Sequence, residues 1–288
     1  MKKLFWDTAE LDARAVSEFG LNTEVLMQNA ANALANVVRT RFKKSSTKRG
    51  KILGVVGSGN NGADVLAALR LLGGKFDCFA FLASDKQNET SKTELTRALK
   101  CGVNLISNLT ESGEFDCIID GIFGTGLSRE LDERTINLIN LLNAKPGYKL
   151  ACDIPSGLDK NGLSQGAVFK ADTTVTMGAL KLALYSDFAK DFVGCVKVAN
   201  LGFSRELYEA GTSFYKLGKS DLNLPFRVKQ NANKGDFGHV FVVSGEKVGA
   251  ARIAGLAALT IGAGLVSVVG ENLNLEPVLM QSECIMSK

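Results

Sequence analysis

Three short stretches place glycine and small polar residues directly after apolar runs. They are GSGNNGAD (57–64), DGIFGTGLSRE (120–130) and DIPSGLD (153–159). Gly57, Gly59 and Gly62 stand in the spacing G-x-G-x-x-G, a dinucleotide-binding pattern, with Asp85 placed as a ribose-binding acid would be. Glycine lets backbone approach a ligand closely, and amides at a helix start attract phosphate. The pair Asn60-Asn61, followed by Asp64, carries more side-chain oxygen than one helix cap requires. The loop reads either as a ligand site or as a capped helix start.

In the second stretch, Asp120 ends an apolar run, where an unpaired carboxylate is costly to bury. It must meet a cation, a hydrogen-bond donor or water. Gly124-Thr125-Gly126 then offers amides and a hydroxyl suited to phosphate or ribose, and Arg129 and Glu130 either close over a ligand or stay solvated. In the third, Pro155 stiffens the chain and Gly157 permits a tight turn, which fixes Asp153 and Ser156 at a strand end. Asp153 suits general acid or base work if its surroundings raise its pKa. The oxygens of Asn61, Asp120 and Ser156 together suit a hard cation. One carboxylate among neutral oxygens favours a monovalent ion over magnesium.

Strand and helix patterns alternate around these loops. KILGVVG, FDCFAFLA, VNLIS, FDCIIDGIF, YKLACDI, DTTVTM and CVKVANLG read as strands, with helices over 64–72, around 94–100 and over 133–143. Leu26, Ala30, Leu34 and Val37 give an earlier segment one apolar helical face. Asn22 or Thr23 caps that segment, and Asp7 with Glu10 resembles a capping box before it. Strands apolar throughout and separated by helices indicate a doubly wound, Rossmann-like parallel sheet with flanking helices. Ligands then belong at the carboxyl ends of its strands. The pattern breaks across 212–234 before a fresh strand, HVFVVSG, so a boundary is expected near residue 222. The expected domains are 1–222 and an incomplete one at 223–288.

The chain has 288 residues and a net charge of only +4, spread along its length, so no nucleic-acid partner is expected. Its densest basic stretch, residues 39–51, is either a phosphate-contacting patch or a solvated loop. Six cysteines without a C-x-x-C pair point to reduced thiols. A single histidine, His239, argues against a nitrogen-rich metal site or a Ser-His-Asp triad. Residues 250–270 approach membrane-spanning length, but Arg252 and the Gly262–Gly264 turn divide them into a helix and a strand. No signal peptide is evident, so no membrane partner and a soluble, cytoplasmic protein are expected.

The three loops, in this order, resemble those of the N-terminal, epimerase domain of NAD(P)H-hydrate repair proteins. EVLMQNAANAL (24–34) is similar to that family's L-M-E-N-A-G segment, and TVTMGALKLAL (174–184) to its T-x-T-F-x-x-x-K-x-G-L segment. The resemblance covers about residues 4–210. It implies epimerisation of the S and R forms of hydrated NADH and NADPH at C6 of the nicotinamide ring. By motif, Asn60, Asn61, Gly62, Ala63 and Asp64 would contact the hydrated cofactor. So would Gly124, Thr125, Gly126, Leu127, Ser128, Arg129, Glu130 and Asp153. Asn61, Asp120 and Ser156 would bind a potassium ion, and a homodimer is implied. Asp153 is the candidate for proton transfer at C6, with ring opening as an alternative path. Lys181 is a phosphate ligand, a supporting group or a solvated lysine.

Residues 231–268, with Lys234 and Gly235, resemble the start of the family's second module. That module is an ADP- or ATP-dependent NAD(P)H-hydrate dehydratase of ribokinase-like fold. Its late G-T-G-D segment is absent from this sequence, so no dehydratase activity is expected of it. Two departures stand out: Gln28 replaces a usual glutamate, and Ala63 the second glycine of N-N-G-G-D. If position 63 needs a positive φ or close ligand approach, activity would suffer. An incompetent loop would leave a non-catalytic nucleotide-binding protein. The glycine spacing with Asp85 leaves an NAD-dependent oxidoreductase as the remaining alternative.

Overall fold

The computed structural model describes residues 1–42, 49–110, 112–223, 228–275 and 278–282. Residues 43–48 of the basic stretch, and Cys284, lie outside the described residues. The chain divides into two compact units, Lys2–Lys216 and a second formed by Met1 with Leu217–Lys288.

In the larger unit, β1 (Lys2–Leu4) pairs antiparallel with β9 (Phe214–Lys216), so that its two ends meet in one ribbon. Helix α1 (Ala9–Ser17) begins later than a capping box at Asp7 would have it. Asp7 Oδ1 instead accepts the Ala9 amide at 2.9 Å. Asn22 caps α2 (Thr23–Arg41) by accepting from Val25, and α2 buries Leu26, Ala30, Leu34 and Val37, the face expected from their spacing.

The remaining strands form one parallel sheet. They are β2 (Lys51–Val56), β3 (Asp77–Leu82), β4 (Asn104–Ile106), β5 (Cys117–Gly121), β6 (Tyr148–Cys152), β7 (Thr173–Met177) and β8 (Cys195–Ala199). Their spatial order is β4-β3-β2-β5-β6-β7-β8. Helices α3 (Asn60–Leu72), α4 (Glu89–Lys100) and α5 (Glu133–Ala144) connect them, with short turns α6 (Lys190–Val193) and α7 (Arg205–Tyr208) near the end. Apolar clusters cover both sheet faces. One holds Leu34, Val38, Leu66 and Leu69, the other Ile118, Ile139, Leu142 and Phe169. Between β2 and β5 the chain changes direction along the sheet, the place where open α/β sheets leave a crevice at their carboxyl edge. The first two glycine-rich loops leave the sheet there, and the third follows β6 beside them.

The smaller unit contains β10 (His239–Val243), α8 (Val248–Ile261), β11 (Leu265–Val269) and β12 (Met280–Ser282), three strands paired in parallel in chain order. The 250–270 stretch is thus a helix, a turn at Gly262 (φ 123°) and a strand. Among the described residues no helix is long and apolar enough to cross a membrane.

Candidate functional site

Asp120, in the last turn of register of β5, is fully buried. It accepts from the Ser156 amide (2.8 Å), the Ser156 hydroxyl (2.6 Å) and the Ile122 amide (3.2 Å). Among the described residues no cation pairs with it. Burial outweighs these donors and pushes its pKa up to about 6. The Ser156 hydroxyl oxygen also accepts the Phe123 amide at 2.9 Å, and the Phe123 carbonyl accepts Asn61 Nδ2 at 2.8 Å. The Asn61 carboxamide oxygen lies on the side of Gly124 and accepts no hydrogen bond among the described residues. Ser156 thus joins Asp120 to the Phe123 amide, and Asn61 reaches the same residue through its carbonyl. One buried carboxylate without a cation, ringed by neutral oxygens, fits a monovalent hard cation. No group of three or more His, Cys, Asp or Glu side chains converges on a metal position among the described residues.

Asp153, just past β6, has φ 66°. Its turn is closed by the Ile154 amide donating to the Cys152 carbonyl at 2.9 Å, a γ-turn of the strained hand. Such strain costs about 1–3 kcal/mol and persists where the surroundings impose it. Lys181, only 1% exposed, holds the Asp153 side chain here. Its Nζ donates to Asp153 Oδ1 (2.5 Å), Thr176 Oγ1 (3.1 Å) and the Met177 carbonyl (3.2 Å). The Met177 amide also donates to Oδ1, at 3.0 Å. Oδ2 has no hydrogen-bond partner among the described residues and lies near Gly124, as does Asn61. The lysine is thus neither solvated nor free to meet a phosphate; it fixes Asp153.

The first loop is not a capped start in the expected sense. Helix α3 begins at Asn60, Gly59 is the residue before it, and neither asparagine caps it. Asn60 accepts from Asn88 at 2.9 Å, which ties the loop to α4. Gly57 and Gly62 are required by packing: a Cβ at Gly57 would strike the Ile122 carbonyl, and one at Gly62 the Gly57 carbonyl. Ala63 is buried inside α3 and not at positive φ, so its backbone does not require glycine. Asp85, just past β3, is exposed and lies 3.9 Å from Arg134. In the second loop, Gly124 lies between Asn61 and Asp153, Thr125 is half-buried and Gly126 is exposed. Leu127 turns into the core, so only its backbone can meet a ligand, and Ser128, Arg129 and Glu130 sit exposed at the outer end.

A cavity of about 380 Å³ opens beside these loops, lined by Asp12, Thr23, Met27, Asn60, Asp64 and Met177 among others. Asp64 is half-buried against this cavity, and its carboxylate has no hydrogen-bond or ion-pair partner among the described residues. Desolvation first, then the charges of Asp153 and Asp12, hold its pKa well above the usual carboxylate range. Asp12 and its partner Tyr208, whose hydroxyl donates to it at 2.7 Å, were not singled out by motif. The available signal was an acid lodged beside Leu11 and Ala15 on the buried stripe of α1.

A family model described as YjeF-related protein N-terminus matches residues 23–183. The bifunctional NAD(P)H-hydrate repair enzyme of Helicobacter pylori is 40% identical over 262 residues, 90% of this chain and 55% of that protein. The NAD(P)H-hydrate epimerase of Oenococcus oeni is 33% identical over 195 residues, 66% of this chain and 91% of that protein. The chain spans about half the length of the bifunctional relatives it matches, 51% for that of Archaeoglobus fulgidus. A crystal structure of yeast YNL200c shares the fold, with TM-score 0.54 at 23% identity over 61% of this chain and 79% of that one.

Proposed function

From the chain's membership of the family of YjeF-related protein N-termini, we propose that the Lys2–Lys216 unit is a nicotinamide-nucleotide repair isomerase. It interconverts the S and R forms of hydrated NADH and NADPH at C6 of the nicotinamide ring. The observation that carries this reading is Asp153. Lys181 fixes one of its oxygens, and the other is open toward Asn61 and Gly124 at the sheet's carboxyl edge.

C6 of the hydrate is a hemiaminal carbon. When its hydroxyl is protonated, the ring nitrogen lone pair expels water and leaves a planar iminium. Water returning to either face gives either epimer. Asp153 Oδ2 would carry the proton transfer at this centre. Asn60, Asn61 and Asp64 offer side chains to the nucleotide, and Gly62, Ala63 and Gly124 to Leu127 offer backbone with the Thr125 hydroxyl. Ser128, Arg129 and Glu130 form the outer rim. Asn61, Asp120 and Ser156 would hold a potassium ion, which supplies fixed positive charge beside the bound nucleotide. Residues 223–288 are read as the opening of a ribokinase-like dehydratase domain, whose ADP or ATP site belongs to its later part. A homodimer in the cytoplasm completes the reading.

The test is a coupled assay. Purified protein with the R hydrate, potassium and a separate S-specific dehydratase should restore dehydration faster than spontaneous epimerisation. No acceleration by folded protein would overturn the assignment.

A further inference from the structure

Epimerisation through a planar iminium sets a symmetrical problem. A hydroxyl must leave from one face of the ring and water must arrive at the other, so two proton-transfer groups are wanted on different walls. Asp153 supplies one. Resting on the epimerase reading, we propose that Asp12 is the second catalytic carboxyl, serving C6 from the α1 wall while Asp153 serves it from the β6 end.

Three observations place Asp12 in this role. Its carboxyl lines the cavity that also holds Asp64 and Met177, and Met177 donates its amide to Asp153. The Tyr208 hydroxyl donates to Asp12 Oδ1 at 2.7 Å, which orients the carboxyl and leaves its other oxygen free for substrate. Tyr208 is itself fixed from behind, because a Cβ at Gly178 (φ 71°) would collide with its ring and hydroxyl. The charges felt at Asp12 agree with this. Burial raises its pKa most, opposed by the Tyr208 hydrogen bond and Lys181 and assisted by Asp153 and Asp7. Asp64 shares the cavity and, with Asp12 nearby, is also held toward its neutral form. The pair therefore retains a proton more readily than an exposed carboxylate would.

The step balances as follows. Asp12 in its acid form gives its proton to the C6 hydroxyl, the C6–O bond breaks, and water leaves as the nitrogen lone pair forms N1=C6. A second water attacks C6 from the other face, forming the new C6–O bond, and gives its proton to Asp153 Oδ2. The proton returns from Asp153 to Asp12 through solvent. In the reverse direction the two carboxyls exchange roles.

The test uses each epimer separately in ¹⁸O-labelled water, following inversion and isotope content together. The wild-type chain should invert both epimers with one solvent oxygen entering at C6. Asp12→Asn keeps the acceptor for Tyr208 but cannot donate an acidic proton, and should slow inversion on the order of 100-fold. One epimer, with its hydroxyl on the Asp153 side, should still exchange oxygen with retention; the other should become inert. Tyr208→Phe should give the same asymmetry more weakly, about 10-fold. Equal slowing of exchange for both epimers, near-normal inversion in Asp12→Asn, or wild-type inversion without ¹⁸O uptake would each overturn the proposal. Wild-type protein that accelerates nothing would instead overturn the epimerase reading itself.

Discussion

Two aspartates end neighbouring strands of one sheet, and the protein treats them in opposite ways. Asp120 at the end of β5 is completely buried among hydrogen-bond donors, with no cation beside it among the described residues. Asp153 past β6 is given a buried lysine, a strained backbone and one open oxygen. The first arrangement leaves a negative charge to be completed from outside, as a cation site does. The second completes the charge internally and leaves a lone pair for chemistry. The difference lies in what the neighbouring segments deliver: β7 and the turn after it bring Lys181 to Asp153, whereas loop amides and the Ser156 hydroxyl reach Asp120.

The largest expected effect tests the open oxygen. Asp153→Asn should reduce turnover on the order of 10²–10⁴-fold, because an amide cannot exchange the proton. Lys181→Met should act on folding as well as rate. Removing one partner of a buried pair typically costs about 3–5 kcal/mol, since the other charge is left uncompensated. The double variant Asp153→Asn, Lys181→Met should recover part of that stability in denaturant titrations while remaining inactive. If Lys181→Met melted like the wild-type protein, the contrast between the two strand ends would fail.

Asp120 gives the next effect, through its pH dependence. Its folded pKa, about 6, is above its ordinary value of 3.8. Between those values the native state holds the proton that the unfolded chain has released. Stability from this group is therefore fully present below about pH 4 and is lost as pH rises to about 6, on the order of 3 kcal/mol in all. Potassium bound there should reverse the loss by favouring the carboxylate. Thermal melts should show a larger rise on adding potassium at about pH 7.5 than at about pH 5. Asp120→Asn should abolish both the slope and the ion response. An ion response equal at the two pH values would remove Asp120 from the site.

Much of this contrast was legible before the fold was known, and the remainder was not, for a physical reason. A carboxylate after an apolar strand announces a costly burial, so Asp120 and Asp153 both stood out, as did the partners Asn61 and Ser156. The periodicity of Ile, Val and Leu gave the sheet and its order of elements. Sequence spacing does not say which side chain will be folded against which. Lys181 reaches Asp153 across 28 positions, and Tyr208 reaches Asp12 across 196. Both are ordinary residues until the sheet order brings β7 beside β6 and the chain returns past α1. The helix start was misjudged locally as well. Asn60 and Asn61 have the composition of caps, yet Gly59 precedes the helix and the Asn61 carboxamide bonds the Phe123 carbonyl of the second loop.

The smallest effect concerns Ala63, the position where the loop departs from two consecutive glycines. Gly62 is demanded by contact, because any side chain there would meet the Gly57 carbonyl. Ala63 faces a different constraint: it lies in the first turns of α3, its amide bonds the Gly59 carbonyl at 3.3 Å, and its methyl group is wholly buried. A helical position without positive φ gains nothing from glycine and loses chain entropy to it. Ala63→Gly should therefore destabilise the protein by about 0.5–1 kcal/mol, a shift of a few degrees in melting, with turnover unchanged. A severalfold gain in turnover would mean that the methyl group obstructs the bound nucleotide. The glycine requirement of this loop would then extend beyond the packing of its own backbone.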